Sequence, residues 1–160
     1  MNLFDKFTNK SQEVIINAQI IAQDNGQQHI EALHILKALF EQPDSLIKPI
    51  LDKLNVPIKL IDSKVAAEFD KMPKIMAGSG SNIGMVQGTA EVAMILERSK
   101  KEAVKMGDEF ISIEHLLLAV IGIKSRAQEI LINAGVEYEK VAKVLKDVRG
   151  DYKVDSPEPE

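Results

Sequence analysis

The chain contains no cysteine, which excludes disulfides, thiolate nucleophiles and cysteine-ligated zinc from its chemistry in any redox compartment. Aromatic residues make up only 4% of it against 45% hydrophobic residues overall, so a core must be assembled from Ile, Leu, Val, Met and Ala, which suit helix-to-helix packing. Positive charge is not in excess either. Twenty basic against 24 acidic residues leave a formal charge of -4, which provides no general attraction toward nucleic acid or an anionic membrane. No stretch approaches the roughly 20 apolar residues of a membrane helix, and the charged opening MNLFDKFTNKSQEV lacks the apolar run of a signal peptide. A cytoplasmic protein is expected, with neither nucleic acid nor membrane as a partner.

What the chain does have is a repeat. The stretch GQQHIEALHIL at 26–36 returns as GDEFISIEHLL at 107–117, with Gly107, Ile111, His115 and Leu117 each 81 positions after Gly26, Ile30, His34 and Leu36. The same offset pairs Thr89 with Thr8 and Ala103 with Ala22; later it becomes 80, setting Ile130 and Leu131 against Ile50 and Leu51. A block of about 65 residues is marginal by itself, so the two copies are expected to pack together about an approximate two-fold axis.

Helical periodicity recurs four times in each copy. Thr8 caps a run with Val14, Ala18, Ile21 and Ala22 on one face, and Ile16 and Ile20 widen that stripe. Leu33, Leu36, Leu39 and Phe40 mark a second helix; Ser45 is placed to cap a short third, in which Pro49 must fall within the first turn or mark a distortion. Pro57 opens a fourth helix carrying Ile61, Val65 and Phe69. Thr89, Ser112 and Ser125 cap the next three, Gly135 ends the seventh in a left-handed conformation, and Tyr138 to Val148 forms the eighth. The fold class is therefore all-α: eight helices as two pseudo-two-fold related four-helix repeats. Repeat one covers about 8–72, a Gly- and Ser-rich connection about 73–88, and repeat two about 89–150. Residues 151–160, DYKVDSPEPE, have little to bury and are expected to begin a linker.

No catalytic arrangement is legible. Gly78, Gly80 and Gly84 are not followed by Gly-Lys-Ser/Thr and lie between helices, which favours a flexible connection over a phosphate loop. His29 and His34 are five positions apart and do not share a helical face, whereas His34 and His115 are repeat equivalents. A structural job at the start of each second helix is expected for that pair, with no metal site. The serines sit where caps and connections need them, without a Ser-His-acid pattern. Arg98, Lys100, Lys101 and Lys105 make the fifth helix locally basic, interleaved with Glu97 and Glu102 as a solvated face would be.

FTNKSQEVI (Phe7 to Ile15), GDEFISIEHLLLAV (Gly107 to Val120) and RGDYKVDSPEPE (Arg149 to Glu160) together resemble the N-terminal domains of the Clp chaperone family, in its disaggregase branch. The resemblance spans essentially the whole chain. It implies a non-enzymatic domain, monomeric when isolated and tethered to ATPase modules that form a hexameric ring; ATP and magnesium belong to those modules, and no cofactor to this domain. Unfolded or aggregated proteins are the implied partners. The alternative implied by the protease-linked branch is a folded adaptor. Thr8, Asp108 and Glu114 match the polar residues the family places on a surface for substrate handling, and each also has a structural use, as helix cap, post-glycine residue and first-turn acid respectively. A peptide groove beside the fifth and sixth helices would here be lined by Arg98, Glu102 and His115, resting on the aliphatic stems of the longer residues.

Overall fold

The computed structural model describes residues 3–74 and 87–158, and in them each copy of the repeat is laid out as four helices. They are α1 (Asn9–Asp24), α2 (Ala32–Glu41), α3 (Ile47–Lys53) and α4 (Ile58–Lys71), then α5 (Ala90–Lys105), α6 (Ile113–Gly122), α7 (Arg126–Asn133) and α8 (Tyr138–Arg149). The starts follow the local chemistry. Thr8 Oγ1 accepts from Ser11 N at 3.2 Å, Thr89 Oγ1 from Val92 N at 3.3 Å and Ser125 Oγ from Gln128 N at 3.1 Å, each satisfying an amide that the helix cannot. Pro49 is the third residue of α3, inside the first turn, where its missing N–H leaves no bond unmade. Gly26 (φ 69°) and Gly107 (φ 73°) follow α1 and α5 in the left-handed conformation, which is why both copies carry glycine there.

The halves are interlocked. α1 packs on α2 and α5 on α6 within each copy, but α3 packs on α8 and α7 on α4 across the copies, while α2 and α6 meet at the centre. Backbone pairing ties the same junction twice. Phe7 forms a parallel bridge with Ile111, and at the positions 81 residues away β2 (Gln87–Gly88) pairs in parallel with β1 (His29–Ile30). Thr8 N donates to Ile111 O at 2.9 Å, and Thr89 N to Ile30 O at 3.3 Å. These two-residue strands leave the all-α class intact and make the two-fold relation explicit in hydrogen bonds.

One continuous apolar core runs through both copies. Along α6 every residue from Ile113 to Ile121 is buried, the pattern of a helix enclosed on all sides. Its counterpart α2 contributes Leu33, Ile35, Leu36 and Leu39 to the same interior. Three expectations need correction. Ile16 and Ile20 are 49% and 46% exposed, because α1 meets its neighbours along the Val14, Ala18, Ile21 and Ala22 face alone. The last two residues of the expected connection, Gln87 and Gly88, are pinned by strand pairing; Gly78, Gly80 and Gly84 lie outside the described residues. Residues 151–158 are irregular, as a linker would be, yet they are docked: Val154 is wholly buried, its carbonyl accepts from Glu109 N (2.9 Å) and Phe110 N (3.2 Å), and Pro157 O accepts from Asn9 N (2.8 Å).

Because the core is shared, damage in either copy should unfold both. Leu51→Ala in α3 and its equivalent Leu131→Ala in α7 each remove a wholly buried side chain and are expected to cost about 2–5 kcal/mol. Urea denaturation followed by circular dichroism should show a single transition for both variants; two separated transitions would contradict the interlock.

Candidate functional site

The two repeat histidines cap their helices in the same way. His34 Nδ1 accepts from Glu31 N and His115 Nδ1 from Ser112 N, both at 2.8 Å, so each ring carries its proton on Nε2. That proton is donated one residue past the helix-ending glycine, by His34 to Gln27 Oε1 at 2.5 Å and by His115 to Asp108 Oδ2 at 2.7 Å. Both imidazoles are fully buried. Burial pushes His34 down to about 4. Among the described residues no three His, Asp or Glu side chains are grouped to hold a metal.

The copies diverge at the residue that receives this proton. Gln27 is neutral, whereas its equivalent Asp108 carries a charge in a site with no solvent exposure of the side chain. Burial alone would raise the Asp108 carboxyl, but bonds from His115, Arg149 and Val154 N overcome it and hold the group well below the usual carboxylate range. Arg149 grips it with both arms, Nη2 to Oδ1 at 2.8 Å and Nη1 to Oδ2 at 2.9 Å. In repeat one the residue equivalent to Arg149 is Phe69, which stacks on His34 with ring centroids 5.1 Å apart. An aromatic lid in one copy is thus an ion pair in the other.

Above Asp108 the repeat junction opens into a cleft of about 240 Å³ whose walls include Thr8, Lys10, Ser112, Glu114, Arg149 and Tyr152. Internal comparison explains why it opens here. At the equivalent place in repeat one, Glu91 of α5 reaches across and its Oε1 accepts from Ala32 N, at the start of α2, at 2.7 Å. Position 10 takes the place of Glu91 in the other copy and is lysine, whose Nζ donates instead to Asp44 O at 2.8 Å. The start of α6 is left facing the cleft.

The expected surface residues are therefore gathered in one region, mostly below the surface. Thr8 is wholly buried: beyond the α1 cap, its Oγ1 lies 2.9 Å from Ser11 Oγ, which donates to Ile111 O at 2.8 Å. Glu114 is nearly buried, its Oε2 3.7 Å from Arg149 Nη1. Of the groove residues, Arg98 Nε donates to Glu102 Oε2 at 2.8 Å, and Glu102, also accepting from Tyr138 OH at 2.5 Å, is buried. Glu102 lines a groove of about 700 Å³ between α5, α8 and the C-terminal segment, along with Lys105, Tyr138, Lys143 and Tyr152. Arg98 lies instead over Gly122, and His115 presents no atom to any surface because both ring nitrogens are engaged inside.

Sequence reasoning missed Arg149 as a site residue. The 80-position offset contained the signal, since it sets Arg149 against Phe69 and so at the histidine of its own copy. It also missed that Ser112, His115 and Asp108 meet, with Ser112 Oγ 3.1 Å from His115 Nδ1. The order resembles a hydrolytic triad, but Nδ1 is occupied by the Ser112 amide and all three residues are buried, so the arrangement serves as a cap.

Two outcomes check these roles. If Thr8 acts as a cap, Thr8→Ala and Thr89→Ala should each lower stability by roughly 1 kcal/mol in denaturant titrations. His34, neutral in the fold down to about pH 4 and protonated in the unfolded chain below its ordinary 6.5, contributes stability that is lost as pH falls from about 6.5 toward 4. Asp108 acts in a lower window, contributing above its ordinary 3.8 and losing that contribution below it. His34→Asn should flatten the dependence of unfolding free energy on pH between 6.5 and 4.5; an unchanged slope would exclude His34 as its source.

Comparison with known proteins agrees with this architecture. The Clp repeat N-terminal domain family matches residues 6–134. The chain is 33% identical to chaperone protein ClpB of Bacillus cereus and 35% identical to that of Vibrio cholerae, in each case over 98% of this chain and 18% of the relative. It thus spans about a fifth of the length of the curated relatives it matches. In fold it resembles the Hsp104 N-terminal domain of Candida albicans (TM-score 0.81, 20% identity, 95% of this chain and 97% of that one). It also resembles the N-terminal domain of the E. coli ClpV1 ATPase (TM-score 0.74, 15% identity, 99% and 93%). A duplicated eight-helix body with this coverage belongs to the Clp N-terminal domain family.

Proposed function

We propose that this chain is the substrate-recognition domain of a ClpB-type disaggregase, binding unfolded or aggregated polypeptide that an attached ATPase ring then threads. The observation that carries the reading is the junction cleft: Thr8 and Glu114, distant in sequence, line it together with Arg149, and Arg149 also holds Asp108. The walls mix hydroxyls, both charges and the aliphatic Leu46, Ile113 and Val148, a surface suited to weak contact with many sequences. Weakness suits the role, since several copies around one ring gain strength by acting together. In this reading ATP and magnesium belong to the proposed ring.

A second reading is docking of a folded adaptor, as proposed for the protease-linked ClpA- or ClpC-like branch. Met94 and Val104 favour it, exposed at 55% and 71% on α5, where an apolar partner could cover them. Titration of the labelled domain with denatured model proteins should shift amide signals of Lys10, Ser45 and Glu114, with dissociation constants in roughly the micromolar range or weaker. Unmoved cleft signals with several denatured proteins would remove the first reading, and stoichiometric capture of one folded protein on the α5 face would favour the second.

A further inference from the structure

The docked segment 151–158 is held in the manner of a bound peptide. Glu109 N and Phe110 N both donate to Val154 O, Val154 N donates to Asp108 Oδ1 at 2.9 Å, and Asn9 N donates to Pro157 O. These bonds address the backbone of the segment and so place no demand on its sequence. The side chain most enclosed is Val154, seated in a slot with no exposed surface, while Arg149 lies over the Tyr152 ring and Glu158 Oε1 accepts from Asn9 Nδ2 at 3.1 Å. Lys153 adds one contact, its Nζ donating to Met106 O at 2.7 Å at the end of α5.

The internal repeat gives a comparison at this corner. Gln28 and His29 are the equivalents of Glu109 and Phe110, and both are exposed. Repeat one has the same glycine, the same capping histidine and the same second helix. Two of the differences in repeat two bear directly on the segment. Asp108 in place of Gln27 supplies the carboxylate that accepts the segment's N–H, and Arg149 in place of Phe69 fixes that carboxylate and donates to Tyr152 O at 3.0 Å.

We propose that the slot formed by Asp108, Glu109 and Phe110 is a binding site for an extended polypeptide carrying an aliphatic residue, and that the chain's own Val154 segment is its resident competitor. This rests on the reading of the domain as a receptor for unfolded polypeptide and assigns that reading a second, separate place on the surface. Asp108 is then a ligand to the peptide backbone, and Arg149 its positioning residue. A client strand entering the slot displaces residues 151–158 and frees up to about 26 Å of extended chain, so client binding and the reach of the exit segment are coupled.

The probe is a fluorescent peptide of sequence YKVDSPEP with blocked ends, tested against the full 160-residue chain and its Val154→Asp variant, which sets a second carboxylate beside Asp108 and expels the segment. The variant should bind the peptide at least roughly tenfold more tightly than the unaltered chain, and a peptide with Asp in place of Val should bind neither. In the unaltered chain, excess peptide at roughly 1 mM should speed hydrogen exchange at Val154 N while Glu109 N and Phe110 N stay protected. That measurement does not depend on the variant folding. Equal binding to both chains, or exchange at Val154 N unaffected by peptide, would overturn the proposal. If denatured proteins still shift the junction cleft while the slot ignores the peptide, the slot fails alone; if neither responds, the receptor reading fails with it.

Discussion

The structure depends on one backbone contact made twice. The amide of each repeat's first-helix cap, Thr8 or Thr89, donates to the carbonyl that precedes the second helix of the other repeat, Ile111 or Ile30. Each copy therefore completes the other, and the exchange extends into the helices, where α3 rests on α8 and α7 on α4. A half of this size buries too little apolar surface to offset its chain entropy, and the exchange removes the difficulty by giving both halves one interior. Thr8 is wholly buried because it stands at that contact.

A symmetric scaffold acquires a site where its symmetry fails. Glu91 closes the start of α2, whereas Lys10 leaves the start of α6 facing a cleft. Gln27 and Phe69 keep one histidine in a neutral, aromatic setting, whereas Asp108 and Arg149 surround the other with an ion pair. A buried carboxylate is tolerable only when its lone pairs are taken, and here His115, Arg149 and Val154 N take them. That requirement ties the second histidine cap, the end of α8 and the exit segment into one network. The junction cleft and the docked C-terminal segment are connected through the same guanidinium.

The positions expected to form a recognition surface illustrate how such surfaces are built. Glu114 is nearly closed off, while Thr8 and the Asp108 carboxylate lie below the surface, so their influence on a ligand passes through what they hold: the α1 start, Arg149 and the exit strand. The groove beside α5 is similar, since the Glu102 carboxylate is taken up by Arg98 and Tyr138. At both places the charged side chains are engaged in supporting backbone and neighbouring side chains and are not left free.

Periodicity and the constant offset were enough to determine eight helices, their caps at Thr8, Thr89, Ser112 and Ser125, and the pairing of His34 with His115. Those features rest on bonds between residues three or four positions apart, and local spacing is visible in a sequence. The helix face left open by Ile16 and Ile20, the enclosure of His115, the clasp of Arg149 on Asp108 and the seat of Val154 were not legible in that way. Each depends on which element another part of the chain lays alongside. The tail illustrates the limit: eight mostly polar, proline-bearing residues describe a linker when taken alone, and only the tertiary fold, by presenting two adjacent amides and a carboxylate to one valine, decided that they dock.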